Sequence, residues 1–239
     1  MKKIRLGINI DHVATLRNAR NENFPNLIDV AKLLKKINVD SITIHLREDR
    51  RHIKDEDLYD LSKKNFLPLN LEMAATEEMK KICLKYKPFA CCIVPERREE
   101  LTTEGGLNVL AQRDYLKTFL PSIIKKGIRT SLFVDPCVNQ IRAAYELGAN
   151  AIEIHTGKYS RLFKKKSFSS ELELINKAAI FCKSLGMECH AGHGLDFFNV
   201  INIKKIKEIE ELNVGHFLIS NAIFDGLENT IIKFREIIS

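Results

Sequence analysis

The segment RTSLFVDPCVNQIRAAYELGANAIEIH, residues 129–155, decides the fold. Residues 129–134 run into the β-forming Leu132-Phe133-Val134 and predict a strand that stops at Asp135-Pro136. Residues 138–147 carry a helical spacing of apolar positions and are closed by Gly148, a residue suited to a helix end. Residues 151–155 form a second short strand ending in His155. The same strand, helix, strand rhythm extends in both directions. Further strands are predicted at 6–10, 42–46, 69–73, 90–94 and 187–191, and an eighth ends near Val214, with a short helix beginning at Gly215-His216. Between them, Thr76 reads as a helix N-cap followed by Glu77 and Glu78. Helices are expected after Pro25 and over about 200–209, and a basic loop is expected from Gly157 to Ser170. Eight such units with no linker or composition break predict a single-domain TIM (β/α)8 barrel over residues 1–239, with a doubly wound sheet as the alternative.

Composition sets the bounds. The chain has 239 residues, 45% of them hydrophobic, enough for one core of this size, and a net charge of +7 that suits phosphorylated metabolites or nucleic acid. Its six cysteines include no CxxC pair and sit mostly in apolar runs, which points to a reducing compartment. The N-terminus lacks a signal-peptide pattern, and no run approaches a membrane span, so a cytoplasmic protein is expected. No helix-turn-helix, zinc-finger or stacked-aromatic motif supports nucleic acid as a partner.

In a barrel the chemistry lies at the C-terminal strand ends. Those ends collect Asn9, Asp11, His12, His45, Arg47, Glu72, Glu96, Asp135, Glu153, His155, His190, His193, Gly215 and His216, which include six of the seven histidines. His52 follows closely in SITIHLREDRRHI, residues 41–53. Glu72 and Glu153 alternate with apolar neighbours; if those neighbours pack beneath the helices, both carboxylates turn inward. His155 and His190 read better as core or rim histidines with their bonds satisfied. Two carboxylates and two imidazoles in a water-poor mouth supply acid–base groups whose pKa values the surroundings can move toward neutrality. They can also bind a divalent metal, although no HExxH-like spacing supports one. No strand ends in lysine, which speaks against a lysine Schiff base. Gly215-His216 at a helix start, with Gly194 in the neighbouring loop, suits one phosphate, and Arg20, Arg47, Arg50 and His52 suit a second.

The assembled blocks GINIDHVATLRNAR (7–20), TIHLREDRRHI (43–53), NLEMAATEEM (70–79), VPERREELTTEGGL (94–107), IEIHTG (152–157), AGHGL (191–195) and LNVGH (212–216) resemble the pyridoxine 5'-phosphate synthase family. The resemblance implies a TIM barrel that condenses 3-amino-2-oxopropyl phosphate with 1-deoxy-D-xylulose 5-phosphate, giving pyridoxine 5'-phosphate, phosphate and water. It implies His45 and Glu72 as proton acceptors, His193 as proton donor and Glu153 as transition-state stabiliser. Asn9, Arg20, Gly194, Gly215 and His216 would bind the amino-ketone phosphate. Asp11, His12, Arg47, His52 and Thr102 would bind the deoxyxylulose phosphate. No metal or organic cofactor is implied, and the assembly would be a homo-octamer. The substrate's own amine would form the Schiff base, which accounts for the missing lysine. The chain departs from the family pattern at His190, where a small polar residue is expected, and at Ser220-Asn221, where Gly-Arg is frequent. Arg50 and Arg51 receive no role, and the basic run from Lys158 to Lys166 is read as a solvated surface loop.

Overall fold

The structure, a computed structural model, describes residues 3–20, 22–96 and 105–239. The chain runs β1 (Arg5–Asn9), α1 (Asp11–Asn18), α2 (Leu27–Lys36), β2 (Ser41–His45), α3 (Asp55–Lys64), β3 (Leu69–Met73), α4 (Glu77–Tyr86) and β4 (Ala90–Ile93). It continues through α5 (Arg113–Ile124), β5 (Arg129–Val134), α6 (Val138–Glu146), β6 (Ala151–His155), α7 (Gly157–Lys164) and α8 (Ser169–Ser184). The last elements are β7 (Glu188–Gly192), α9 (Val200–Ile203), β8 (Glu211–Val214), α10 (His216–Asp225) and α11 (Leu227–Ile238). The strands are parallel and close in sequence order, β8 pairing with β1. This is the TIM barrel the alternation predicted. The expected caps form too: the Asn26 side chain accepts from the Ile28 N–H at 2.8 Å, and Thr76 Oγ1 accepts from the Met79 N–H at 3.3 Å.

Strand register decides which side chains see the barrel interior. Thr43 lies beside Asn70, His45 beside Glu72, Glu153 beside His190, and Gly192 beside Asn213, which lies beside Gly7. The alternate residues Ile42, Ile44, Leu71, Met73, Ile152, Ile154 and Leu212 belong to one continuous core beneath the helices. A separate small cluster of Cys92, Val94 and Phe133 completes the apolar content. The hydrophobic effect therefore works mainly between sheet and helices, which frees the inner face for polar groups.

At the N-terminal end of the barrel those polar groups neutralise one another. Arg5 pairs with Glu188 and, at 2.9 Å, with Glu211; Arg129 lies 3.2 Å from each of the same carboxylates. His190 Nε2 meets Glu188 at 3.2 Å. That bond, followed by the two guanidiniums, overcomes burial and holds Glu188 down to about 2. His190 is thus the satisfied core histidine that was expected, and its departure from the family pattern faces the Glu188 and Glu211 carboxylates.

Three stretches differ from the sequence reading. Residues 157–164 are helix α7, not loop. Its Tyr159 is fully buried, with its ring against Phe163 and Phe168 and its hydroxyl donating to the Asn199 carbonyl at 2.7 Å, while Lys158 reaches the buried Glu171 at 2.6 Å. So short a helix, its Tyr159, Leu162 and Phe163 set among basic residues, reads as a polar loop from the sequence alone. For the same reason α1, which buries Val13 and Ala14, was not anticipated. Conversely, the helix expected to run to residue 209 ends at Ile203, and the chain continues in turns.

Candidate active site

The mouth is built from two neighbouring groups of side chains. In the first, the His45 backbone N–H donates to Asp11 Oδ1 at 2.8 Å, which ties the end of β2 to the start of α1. The His45 ring lies between two carboxylates, with Nε2 3.3 Å from Glu96 Oε2 and Nδ1 4.0 Å from Glu72 Oε2. Asn9 Nδ2 donates to Asp11 Oδ2 at 3.0 Å and approaches Glu72 Oε2 at 3.4 Å. Burial, reinforced by the charges of Glu153 and Asp11, pushes Glu72 well above the usual carboxylate range. Burial also works to raise Glu96, but bonds from His45 and the Glu48 N–H, with Arg47 nearby, hold it below its ordinary value. The two carboxylates flanking one imidazole are therefore tuned in opposite directions.

Arg47 is only 2% exposed, its Nε 3.7 Å from Glu96 and 3.9 Å from Asp49. His52 lies beside it, Nδ1 3.9 Å from Asp11, its pKa lowered by burial against the pull of Asp11. The loop carrying both is held from behind. Arg17 Nη2 donates to Asp57 at 2.9 Å, and Asn18 Nδ2 donates to the His52 carbonyl at 2.8 Å. Arg50 pairs with Asp55 and Glu78, and Arg51 with Asp49, so both serve the architecture of this loop.

In the second group, Glu153 Oε2 accepts from Asn213 Nδ2 at 2.8 Å, and Asn213 Oδ1 accepts from Thr43 Oγ1 at 3.1 Å. Burial raises Glu153 to about 8, against the opposing Asn213 bond and with the charge of Glu211 adding to it. A side chain on Gly192 would bring a Cβ within 2.3 Å of Glu153 Oε1, so only glycine fits there. His193 follows with φ +80°, a left-handed conformation unusual for a side chain of this size, and Gly194 continues it at φ +76°. Burial, together with His155, Arg161, His216 and His12, lowers His193 to about 4. His216, the first residue of α10, meets His12 edge to face at 4.8 Å. The α10 N-terminus has no side-chain cap, leaving backbone N–H groups and the positive helix end for an anion.

The structure thus brings together Asn9, Asp11, His12, His45, Arg47, His52, Glu72, Glu153, His193, Gly194, Gly215 and His216. Arg20 is not drawn in; its side chain is 81% exposed, with Nε 3.4 Å from Glu22. Thr102 lies outside the described residues. Three further partners emerge. Glu96 orients His45, Asn213 holds Glu153, and Asp135 takes His155 Nδ1 at 3.0 Å. Glu96 and Asp135 stood among the strand-end residues, but no sequence spacing assigns their partners. Among the described residues, Asp11, His45 and Glu72 offer donor atoms within 4.8 Å of one another, a set able to hold a divalent metal.

Fold and site define a barrel enzyme with a buried acid–base cluster beside anion-binding elements. The fold is shared with 3-keto-L-gulonate-6-phosphate decarboxylase from Vibrio cholerae, with a TM-score of 0.65 and 13% identity over 99% of this chain and 98% of that one. The sequence is more specific. The family model of the pyridoxal phosphate biosynthesis protein PdxJ matches residues 6–239. A pyridoxine 5'-phosphate synthase from Zymomonas mobilis subsp. mobilis is 54% identical over 98% of this chain and 91% of its own length. One from Sulfurihydrogenibium sp. is 52% identical over 98% of each. The chain belongs to the PdxJ family of pyridoxine 5'-phosphate synthases.

Proposed function

We propose that this chain joins the amine of 3-amino-2-oxopropyl phosphate to the ketone of 1-deoxy-D-xylulose 5-phosphate and closes the ring to pyridoxine 5'-phosphate, releasing phosphate and water. The observation that carries the reading is Glu72, an inward-facing carboxyl raised by burial, set beside Asn9 and His45. A carboxylate with that bias takes a proton readily, and His45, held by Glu96, is the second acceptor. His193 gives protons, and Glu153 steadies charge as it develops. Arg47 and His52, with Asp11, His12 and Thr102, hold the deoxyxylulose phosphate. Gly194, Gly215 and His216, with Asn9, hold the amino-ketone phosphate, and Arg20, which points to solvent beside Glu22, joins them only by swinging in when the phosphate binds. Binding both phosphates fixes amine against ketone and turns a bimolecular encounter into a positioned one.

The enzyme works without a metal or organic cofactor, in the cytoplasm, as a homo-octamer. Leu16, Phe24, Ile223 and Phe224, each more than half exposed, support burial against further copies. Among the described residues no helix is long and apolar enough to cross a membrane. A metal-assisted barrel reaction is the second reading, favoured by the Asp11, His45 and Glu72 donor set. Chelator-treated protein incubated with both substrates separates the two. Pyridoxine 5'-phosphate should form undiminished, and His45→Ala or Glu72→Gln should lower kcat by about 10² or more. No product from the untreated wild type, or near-normal turnover in both variants, would refute the assignment; metal-restored activity would favour the second reading.

A further inference from the structure

His155 was expected to be a satisfied core histidine, and it is only half satisfied. It shares the inward face of β6 with Glu153, one side-chain layer nearer the mouth, and is 2% exposed. Nδ1 meets Asp135 Oδ1 at 3.0 Å, while Nε2 is buried with no hydrogen-bond partner among the described residues. With a hydrogen on Nδ1 donated to the carboxylate, the Nε2 lone pair stays free. Phe133 packs on the ring at 5.1 Å, and His193 meets it edge to face at 5.1 Å. A Cβ on Gly157 would lie 2.4 Å from His155 Nε2 and 2.8 Å from His193 Cδ2. The glycine therefore lets both imidazoles pack directly against its backbone, where any side chain would collide with them.

We propose that Asp135 and His155 form a second acid–base dyad of this site, with His155 Nε2 exchanging protons with the substrate beside His193. This rests on the reading of the site given above. His193, lowered to about 4 mainly by burial, is neutral near pH 7, so it gives a proton to the substrate only after receiving one within the site. His155 has a carboxylate to balance its imidazolium form, and the Asp135 side chain is 58% exposed, a route for exchange with water. The step suited to this pair is dehydration of the carbinolamine formed by amine and ketone. Nε2 first takes the proton that the substrate's ammonium group sheds as it becomes the attacking amine; the carbinolamine C–O bond then breaks with its electron pair on oxygen, that Nε2 proton joins the oxygen, and water leaves. The nitrogen lone pair completes the C=N bond, and the iminium keeps its N–H proton, so His155 ends as it began. Of the other charged and titratable groups here, Lys158 from α7 bears on Asp135, and Arg161 from α7, His12 from α1 and His216 from α10 bear on His193.

Asp135→Asn keeps an acceptor for Nδ1 but removes the charge that supports the imidazolium. In active wild-type background it should lower kcat about tenfold or more with KM within about twofold, and move the basic limb of the kcat profile to lower pH. His155→Gln should lower kcat by about 10². Histidine-ring NMR of the wild type gives a readout independent of turnover: the His155 Nε2 resonance should shift when 1-deoxy-D-xylulose 5-phosphate or inorganic phosphate is added, and the His155 Nδ1 resonance should move in Asp135→Asn. Should the wild type make no pyridoxine 5'-phosphate, the assigned reaction fails, and the NMR titration alone decides the dyad. Should His155→Gln not fold, Asp135→Asn, checked by thermal unfolding, carries the kinetic test. Unchanged kcat and pH profile in folded Asp135→Asn from an active wild type, or a His155 ring blind to both ligands and to the Asn substitution, would overturn the dyad.

Discussion

Replacing Glu153 by glutamine should make the protein more stable, and increasingly so as pH rises. The side chain is 2% exposed, and its carboxyl is raised from 4.5 to about 8, first by burial. Between those values the folded chain keeps a proton that the unfolded chain has released, so wild-type stability falls as pH climbs through the window. At about 1.4 kcal/mol per pH unit, the span amounts to about 5 kcal/mol at its upper end. Glutamine copies the shape of the protonated acid, and its carbonyl can still accept from Asn213 Nδ2, which now meets Glu153 Oε2 at 2.8 Å. The variant and the wild type should therefore match near pH 4.5 and diverge by about 4 kcal/mol at pH 8. Removing the Glu153 charge also relieves part of the upward push on Glu72, which adds to the divergence in the same direction. Urea unfolding at half-unit pH steps measures it. A stability difference that stays constant from pH 5 to pH 8 would refute the claim that Glu153 is buried as an acid.

His193 gives the opposite sign: because burial lowers it to about 4, the folded chain binds fewer protons than the unfolded chain between there and pH 6.5, and stability falls as pH drops through that range. His193→Gln should remove about 3 kcal/mol of that acid loss in the same urea series. Gly192→Ala brings a Cβ within 2.3 Å of Glu153 Oε1 and 2.9 Å of the Asn213 carbonyl; it should cost about 1–3 kcal/mol in unfolding free energy and most of kcat. Arg17→Ala leaves Asp57 without its guanidinium, both side chains being 11% exposed, and should destabilise the protein by about 3 kcal/mol. Through the lost contact to the His52 carbonyl it should also raise KM for the deoxyxylulose substrate more than it lowers kcat.

The convergence of these side chains was legible because strand ends in a closed parallel barrel meet at one mouth. Glu72 could be turned inward on paper because Leu71 and Met73 alternate with it and pack under the helices, and the register confirms that face. The His155 reading failed for an instructive reason. Strand position gives the direction of a side chain, but whether both ring nitrogens find partners depends on what loops from other units bring. Asp135 arrives from twenty residues earlier to take one nitrogen, and Gly157 withholds a side chain from the other.

Sequence by itself determined the eight-unit alternation, the faces of the strands and the family, since each follows from local periodicity or from contiguous blocks. Tertiary structure decided the pairings: His45 with Glu96, Glu153 with Asn213 and Asp135 with His155, separated by 51, 60 and 20 residues. It also decided the protonation biases, because desolvation depends on everything that surrounds a carboxyl or an imidazole once the barrel has closed. No local pattern encodes that surrounding, and closure alone supplies it.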